Sequence, residues 1–505
     1  RKWSDDSTSW TASEYQGGPG ESVMHSCSFI KRLSRFFSDG LSIRTAQATA
    51  ATVMLVLGAV LLGGCAGARY RRPDVPIPPS YRGDSIESPA SNASAASLGE
   101  LRWQDLIHDE ELSKLIQEAI THNFDVQIAA ARVLQARAQL TVTRSALFPL
   151  VNAQGSYSNS RLLALDTSET SLAVSAGWQL DLWGQIRNMT SSARAQLLSS
   201  EQARRVVLQT LVSNVASNYF LLQDLDQEVD ITRHALQIRE DSLALVQLRV
   251  DNGYSSELDL RQAEVLVESA RTALTGLELQ IEQTEDELDI LLGRNPGPIV
   301  RDRLSLGEQQ APTLRAGLPS ALLDRRPDIR EAEQQLISSH ALVAVAKAAY
   351  FPTISLTSSA GFESSALHSL VSGLSGMWAV GPAVSMPIFN AGSIRAGVLG
   401  ANAQQQQSEL LYRKTVQEAF REVADSLVAD RKLAELQHQQ ESLAESLRQA
   451  TELADLRYRG GFSSYLEYLD SERQLLDAQI LLVQIRREEL TNTITLYIAL
   501  GGGWQ

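Results

Sequence analysis

Four stretches of this chain alternate between apolar and polar positions, and they fall into two pairs. From Ser171 to Trp183, the residues Leu172, Val174, Ala176, Trp178, Leu180 and Leu182 alternate with Ser171, Ala173, Ser175, Gly177, Gln179 and Asp181, the mark of a two-faced strand. Val151, Ala153, Gly155 and Tyr157 alternate with Asn152, Gln154, Ser156 and Ser158 in its expected hairpin partner. Further along, Ile354, Leu356, Ala360 and Phe362 alternate with Thr353, Ser355, Thr357, Ser359 and Gly361, and a fourth stretch carries Trp378, Val380, Val384, Met386 and Ile388 on one face. Strands are therefore expected at about 151–161, 171–183, 353–363 and 376–389, each the length of a tilted membrane-crossing strand of about ten residues. An ordinary sheet packed on a helix would alternate in the same way. The small polar face suits a watery lumen better, and the helices described next are too long to serve as a cover. Four strands cannot close a barrel, and open edges cannot sit in lipid with their backbone groups unpaired. Symmetric association would supply the missing strands, and three copies would make a barrel of twelve, within the known range.

The rest of the pattern is helical. Leu106, Leu112, Leu115, Ile116, Ala119 and Ile120 have helical spacing from Trp103 to Asn123, and a second helix fits Asp125 to Leu147, stopped by Pro149. Between Gly184 and Gly253 there is no proline, and Leu208, Val215, Leu222, Val229, Leu236, Leu243 and Val250 recur at every seventh place, a coiled-coil signal. Some 65 residues at about 1.5 Å each make a rod of roughly 100 Å. Asn218, Thr232 and Arg239 interrupt the intermediate positions, so the rod is no simple two-stranded zipper but shares partners in a larger assembly. Past Gly253 a returning helix keeps the heptad through Leu260, Val267, Leu274, Ile281 and Leu288, and ends at Gly293 with Pro296 beyond.

The second half repeats the plan. Gly460 to Arg473 (GGFSSYLEYLDSER) echoes Gly253 to Glu264 (GYSSELDLRQAE), Phe148-Pro149 answers Phe351-Pro352, and Leu292-Gly293 answers Leu500-Gly501. Two copies of about 200 residues are too long for a solenoid, whose repeats run to about 50. One architecture is built twice. A rod from Gly392 to Arg459 turns at Gly460-Gly461 and returns from Ser463 to Leu500, with Leu469, Leu476, Val483, Leu490 and Tyr497 on the heptad. Ser255 and Ser463 sit where helix N-caps belong.

Composition changes the picture mainly at the amino-terminal side. The run Ala46 to Leu62 follows Lys31, Arg32, Arg35 and Arg44 and leads to Gly63-Gly64-Cys65, the layout of a secretory signal rather than a spanning helix. The ending LGGC at 62–65 resembles a bacterial lipoprotein box, in which the cysteine carries lipid; an ordinary signal peptide containing a cysteine is the alternative. Residues 1–23, before Met24, are expected to be upstream sequence. After Cys65 come Pro73, Pro76, Pro78 and Pro79 and a Ser/Ala-rich run to Ser97, an extended tether unable to bury a core. The expected organisation is an upstream extension and signal (1–64), a lipidated Pro/Ser-rich segment (65–100), a first repeat (101–300), a linker (301–318) and a second repeat (319–505). A formal charge of −14 argues against nucleic acid as a partner, because phosphate binding needs clustered Lys and Arg. Two cysteines, Cys27 and Cys65, leave little scope for a disulfide framework or a thiolate metal site.

No catalytic constellation emerges. His108-Asp109-Glu110-Glu111 lacks the second histidine of a zinc-protease helix, and no glycine-rich phosphate loop is present. The 7 histidines lie far apart, and 5 methionines make no soft-metal path, so no cofactor or metal is expected. Two function classes remain open on this pattern: a passive export duct, or an envelope protein that bridges membranes without conducting.

LGGC at 62–65, YRRPDVPIPPSY at 70–81, ALFP and AYFP before the strand pairs, RRPDI at 325–329 and LYIALGGGW at 496–504 together make the chain resemble the TolC-like outer-membrane efflux factors, within them the NodT-type lipoprotein branch, over nearly all of 65–505. The resemblance implies an α+β membrane protein with four barrel strands per protomer, a 12-stranded trimeric β-barrel and a long antiparallel α-helical coiled-coil conduit in the periplasm. It also implies a homotrimer lipid-anchored in the outer membrane, acting as the exit duct of a tripartite efflux system with a periplasmic adaptor and an inner-membrane transporter. The lipid would sit on Cys65. The hairpin tips, Gly253, Tyr254 and Ser255 and then Gly461, Phe462 and Ser463, would dock the adaptor. In the family the helix after the second turn closes the periplasmic mouth, and the matching positions are Leu466, Asp470 and Arg473, with Glu467 one turn before Asp470. The first-half counterparts Leu258, Asp259 and Gln262 lack the Asp/Arg pair. A solvated pair within one helix, worth well under about 1 kcal/mol, is the competing reading of Asp470 and Arg473.

Overall fold

Asp109 and Asn123 set the first two helices by capping them. The computed structural model describes residues 70–82, 109–162, 165–301, 319–372 and 374–503, so Trp103 and both cysteines lie outside the described residues. Helix α1 (Glu110–His122) begins where the Asp109 side chain accepts from the Leu112 N–H at 2.9 Å. Asn123 ends α1 and starts α2 (Phe124–Ser145), accepting from the Val126 N–H and donating to the Leu291 carbonyl, each at 3.0 Å.

Strands β1 (Leu150–Leu162), β2 (Leu165–Leu180), β3 (Thr353–Ser364) and β4 (Gly376–Ser385) form one antiparallel sheet in the order β1-β2-β3-β4. Its register joins the two repeats, with Leu172 opposite Phe362 and Trp178 opposite Leu356. Opposed residues share a face. One face collects Val151, Ala153, Val174, Trp178, Leu356, Ala360, Trp378 and Val384, while the other collects Asn152, Gln154, Ser175, Gln179, Thr357 and Ser359. β2 begins six residues before the expected 171 and stops at Leu180, short of 183; β4 stops at Ser385, short of 389. Pro387, which has no N–H to donate, lies just beyond that end.

From the sheet run two rods of equal length, α3 (Gln185–Asp251) and α7 (Ser393–Arg459), 67 residues each. They return as α4 (Glu257–Leu292) and α8 (Tyr465–Ala499). None of the heptad residues named above is exposed on these helices. The start of α3 is held by Asp181, whose carboxylate accepts from the Ile186 and Arg187 N–H groups. Beside it, Trp183 donates to the Pro352 carbonyl at 2.7 Å and stacks on Phe351 at 4.8 Å, so the strand-to-helix junction of one repeat is wedged against the Phe-Pro turn of the other.

Before β3 come a single turn, α5 (Leu322–Arg325), and α6 (Pro327–Ala348), which has its proline at the first helical position. Here two conspicuous sequence marks meet. Arg326 donates to the Ala499 carbonyl at the end of α8 and pairs with Asp328 at 2.6 Å and Glu422 at 2.7 Å. A Cβ added at Gly502 would lie 2.2 Å from the Tyr497 ring, so only glycine fits there. The main core gathers Leu112, Tyr219, Leu288, Ile329, Tyr412 and Tyr497 where α1, α3, α4, α6, α7 and α8 converge.

The Pro-rich segment departs from the expectation of a free tether over part of its length. Tyr81 is 5% exposed in the core against Phe420, and Arg72 forms a forked pair with Glu333 at 2.6 and 2.7 Å and reaches Asp324 at 3.1 Å. Prolines exclude helix and sheet here but leave aromatic and charged side chains free to dock.

Candidate conduit and hairpin tips

The polar face of the sheet is a wall of hydroxyls and amides. Asn152, Ser175, Gln179, Ser355, Thr357 and Ser359 line a shallow trough on it. Hydroxyls pair across strands, Ser156 with Ser171 at 2.7 Å and Ser160 with Thr167 at 2.8 Å. On the opposite face Trp378 is 77% and Val384 66% exposed, which leaves much of the apolar surface open. Among the described residues β1 and β4 each pair on one side only.

At the far ends of the rods, both tips turn through a left-handed glycine, Gly253 at φ +75° and Gly461 at φ +76°. Tyr254 and Phe462 follow and stand exposed. The expected N-caps shift by one residue. Ser256 caps α4, its hydroxyl accepting from the Asp259 N–H while Asp259 reaches back to the Ser256 N–H, a closed capping box. Ser464 occupies the cap of α8 without a side-chain bond, and the Ser463 Oγ is buried without a partner. Two residues, not one, separate each left-handed glycine from its cap: Tyr254 and Ser255 in the first tip, Phe462 and Ser463 in the second.

The first turns of α8 divide into two faces. Tyr465, Tyr468, Leu469 and Glu472 face inward, whereas Leu466, Glu467, Asp470 and Arg473 are exposed. Within this chain Arg473 pairs with Asp470 at 3.1 Å and Asp477 at 3.4 Å, Gln474 donates to Asp470 at 2.6 Å, and Glu467 meets Arg457 at 3.3 Å. Behind them Tyr458, Tyr465 and Tyr468 pack ring to ring, and the Arg249 guanidinium lies 4.5 Å above Tyr458. Burial pushes the Tyr465 and Tyr468 hydroxyls above the usual phenol range.

One turn deeper Arg239 of α3 meets Glu472 of α8 at 3.1 Å and also donates to the Leu266 carbonyl of α4. Burial raises the Glu472 carboxyl, and Arg239 opposes that rise. Sequence reasoning singled out Arg239 as a polar interruption but not Glu472 or the tyrosines, whose only signal is their spacing at 458, 465, 468 and 472. Cys65 lies outside the described residues. Among the described residues no group of three or more His, Cys, Asp or Glu is placed to hold a metal ion, and no helix is long and apolar enough to cross a membrane.

A sheet with one greasy face, one wet face and two open edges, continued by rods of roughly 100 Å, defines a protein of the outer-membrane barrel-and-rod class. The family model described as outer membrane efflux protein matches residues 115–294 and 318–502. The probable efflux pump outer membrane protein TtgC of Pseudomonas putida is 37% identical over 467 residues, 90% of this chain and 96% of that protein. The probable outer membrane lipoprotein SilC of Salmonella typhimurium is 34% identical over 449 residues, 88% of this chain and 97% of that protein. A solved structure of CusC, described as undergoing transmembrane channel formation, superposes with a TM-score of 0.78 at 35% identity, covering 86% of this chain and 99% of that one. The chain belongs to the outer membrane efflux protein family, whose members are outer-membrane channel proteins rather than enzymes, and its role is that of an efflux channel.

Proposed function

We propose that three copies of the chain close a twelve-stranded barrel and form a passive duct, which carries substrates outward from a periplasmic adaptor and an energised inner-membrane transporter. The observation that carries this reading is the sidedness of the sheet together with its two open edges. An apolar face exposed on every strand suits lipid, a hydroxyl-lined face suits water, and edges with unpaired backbone groups need neighbours in a bilayer. Native mass of the detergent-purified protein tests assembly: a trimer is expected, and a stable monomer with intact β signal would overturn it.

Cys65 carries the lipid in this reading, supported by the LGGC junction and by the likeness to SilC. Mass spectrometry of the mature amino terminus checks it; an unmodified terminus at another residue would exclude it, and Cys65→Ser should still assemble. The tips at Gly253, Tyr254, Ser255, Gly461, Phe462 and Ser463 dock the adaptor, and Leu466, Glu467, Asp470 and Arg473 form the periplasmic gate. A threefold copy of their exposed face would bring Asp470 and Arg473 of neighbouring protomers around one axis. In planar bilayers the combined change Asp470→Ala and Arg473→Ala should raise the small resting conductance severalfold; an unchanged conductance removes these residues from the gate.

A further inference from the structure

The four helices that join the sheet change the sign of the chain's charge where they meet it. Over 126–145 of α2, 185–200 of α3, 334–348 of α6 and 393–408 of α7, the lengths next to the sheet, there is no aspartate or glutamate. The same lengths carry Arg132, Arg137 and Arg144 on α2, Arg187 and Arg194 on α3, Lys347 on α6 and Arg395 on α7. In a chain of formal charge −14 this is a basic band, and the stretch of α3 alone gives it a depth of about 24 Å at about 1.5 Å per residue. Further along the rods exposed arginines find carboxylates within the chain, as Arg271 does with Glu240 at 2.8 Å and Arg448 with Glu445 at 2.7 Å. Inside the band Arg187 leans back to Asp181 at 3.1 Å, whereas Arg144 and Arg194 have no such partner among the described residues.

Arg144 and Arg194 flank a shallow cleft of about 190 Å³ between α2 and α3, floored by Leu140, Thr190 and Ser191. The Thr190 and Ser191 hydroxyls are given to the Ile186 and Arg187 carbonyls at 2.9 and 3.0 Å, so the donors left free in the cleft are the two guanidiniums. The cleft opens on the outer side of the wall. Gln179, on the polar face of the sheet, donates to Gln185 at 3.4 Å, so the flank of α3 that carries Gln185 continues the wet face. Arg194 lies nine residues on, about two and a half turns, which puts it on the opposite flank, below the apolar face. Arg144 stands six residues before Leu150, the first residue of β1, with Phe148 between them and exposed, at the level where a barrel meets the lipid headgroups.

We propose that this cleft is a binding site for the phosphodiester headgroup of an anionic phospholipid in the leaflet facing the periplasm, so that each protomer holds a lipid beneath its strands. The proposal rests on the apolar face of the sheet lying in the bilayer. Two unpaired guanidinium forks match phosphate oxygens in charge and in geometry, and no carboxylate of the band competes for them. A zwitterionic headgroup would bring its ammonium into a band that has no negative group to receive it, so a headgroup of net negative charge is favoured. Leu140 in the floor suits the carbons of a lipid better than the hydration shell of a free phosphate ion, and the bilayer holds headgroups at this level at high effective concentration.

Native mass spectrometry of the full-length protein, stripped of lipid in detergent and titrated with phosphatidylglycerol or phosphatidylcholine, tests this. The parent should retain phosphatidylglycerol severalfold better than phosphatidylcholine. Arg144→Gln with Arg194→Gln should abolish the preference, Arg194→Gln alone should weaken it, and Arg144→Lys with Arg194→Lys should keep most of it. Arg271→Gln, which removes a charge from the rod outside the band, should leave it unchanged. Equal retention of the two lipids by the parent, an undiminished preference in the double glutamine variant, or a loss as large in Arg271→Gln overturns the proposal. Inorganic phosphate that displaces the lipid at millimolar concentration assigns the cleft to the free ion and overturns it too. Heat-modifiable mobility of the same samples separates the site from the reading of the sheet: protein that forms no barrel removes the sheet from the bilayer, whereas an assembled barrel without the lipid preference removes only the site.

Discussion

Arg239 sits where a coiled coil would ordinarily place an aliphatic side chain, and it is tolerated because Glu472 meets it with both side chains under a tenth exposed. Breaking such a pair from one side leaves a charge uncompensated in the interior. Arg239→Met, which leaves the Glu472 carboxylate buried without its countercharge, is therefore expected to cost about 3–5 kcal/mol, and adding Glu472→Leu to recover most of it, as measured by thermal unfolding in detergent. The polar interruption at Arg239 was legible from the heptad alone. Its partner was not, because it lies 233 positions away and spacing carries no information about which distant helix will arrive. The same holds for Asp224, 2% exposed and 2.8 Å from Arg487: its sequence neighbours give no hint of that burial or that partner.

At the level of elements, the two tips are near copies with different locks. Ser256 closes a capping box and Ser464 makes no side-chain cap bond. Ser256→Ala should cost about 1 kcal/mol at the start of α4, while Ser464→Ala should change the start of α8 by much less; amide exchange at 257–260 and 465–468 would show the contrast. The strands allow a comparable test by face. Val380 lies on the apolar face and Thr357 on the polar one. Val380→Arg should cost about 2–4 kcal/mol near the bilayer midplane and lower the yield of heat-modifiable assembled protein, and Thr357→Arg should not. The alternation of apolar and polar residues made all four strands legible, yet it hid the first residues of β2. From Asp166 to Glu169 both faces are polar, while the ladder continues to the Leu162–Leu165 pair. Periodicity reports burial in hydrocarbon, and it fades beyond the greasy band even though the backbone stays extended.

For the whole molecule, the duplication was visible in the repeated glycine-aromatic-serine turns, and the register of β2 on β3 shows the two copies sharing one sheet. What the repeats conceal is how they are sewn together. RRPDI and ALGGG stood out as separate marks, but their meaning is mutual: Arg326 takes up the Ala499 carbonyl, and Gln209 of the first repeat donates to the Gly502 carbonyl. Gly502→Ala should overpack Tyr497 and cost about 1–3 kcal/mol, read as a lower melting temperature of the detergent-solubilised protein.

The docked segment at 70–82 bears on the order in which the molecule is completed. Arg72 precedes Glu333 by 261 positions, so the clasp cannot close until the second repeat exists to receive it. A segment that must wait that long is safest if it has nothing to misfold into, and Pro73, Pro76, Pro78 and Pro79 deny it both helix and ladder in the meantime. The same prolines restrict the backbone in advance, so less freedom is surrendered when Tyr81 finally seats against Phe420. The segment behaves as a fastener held open during manufacture, closing late and over a long loop, and its closure would report that both repeats have reached their final packing.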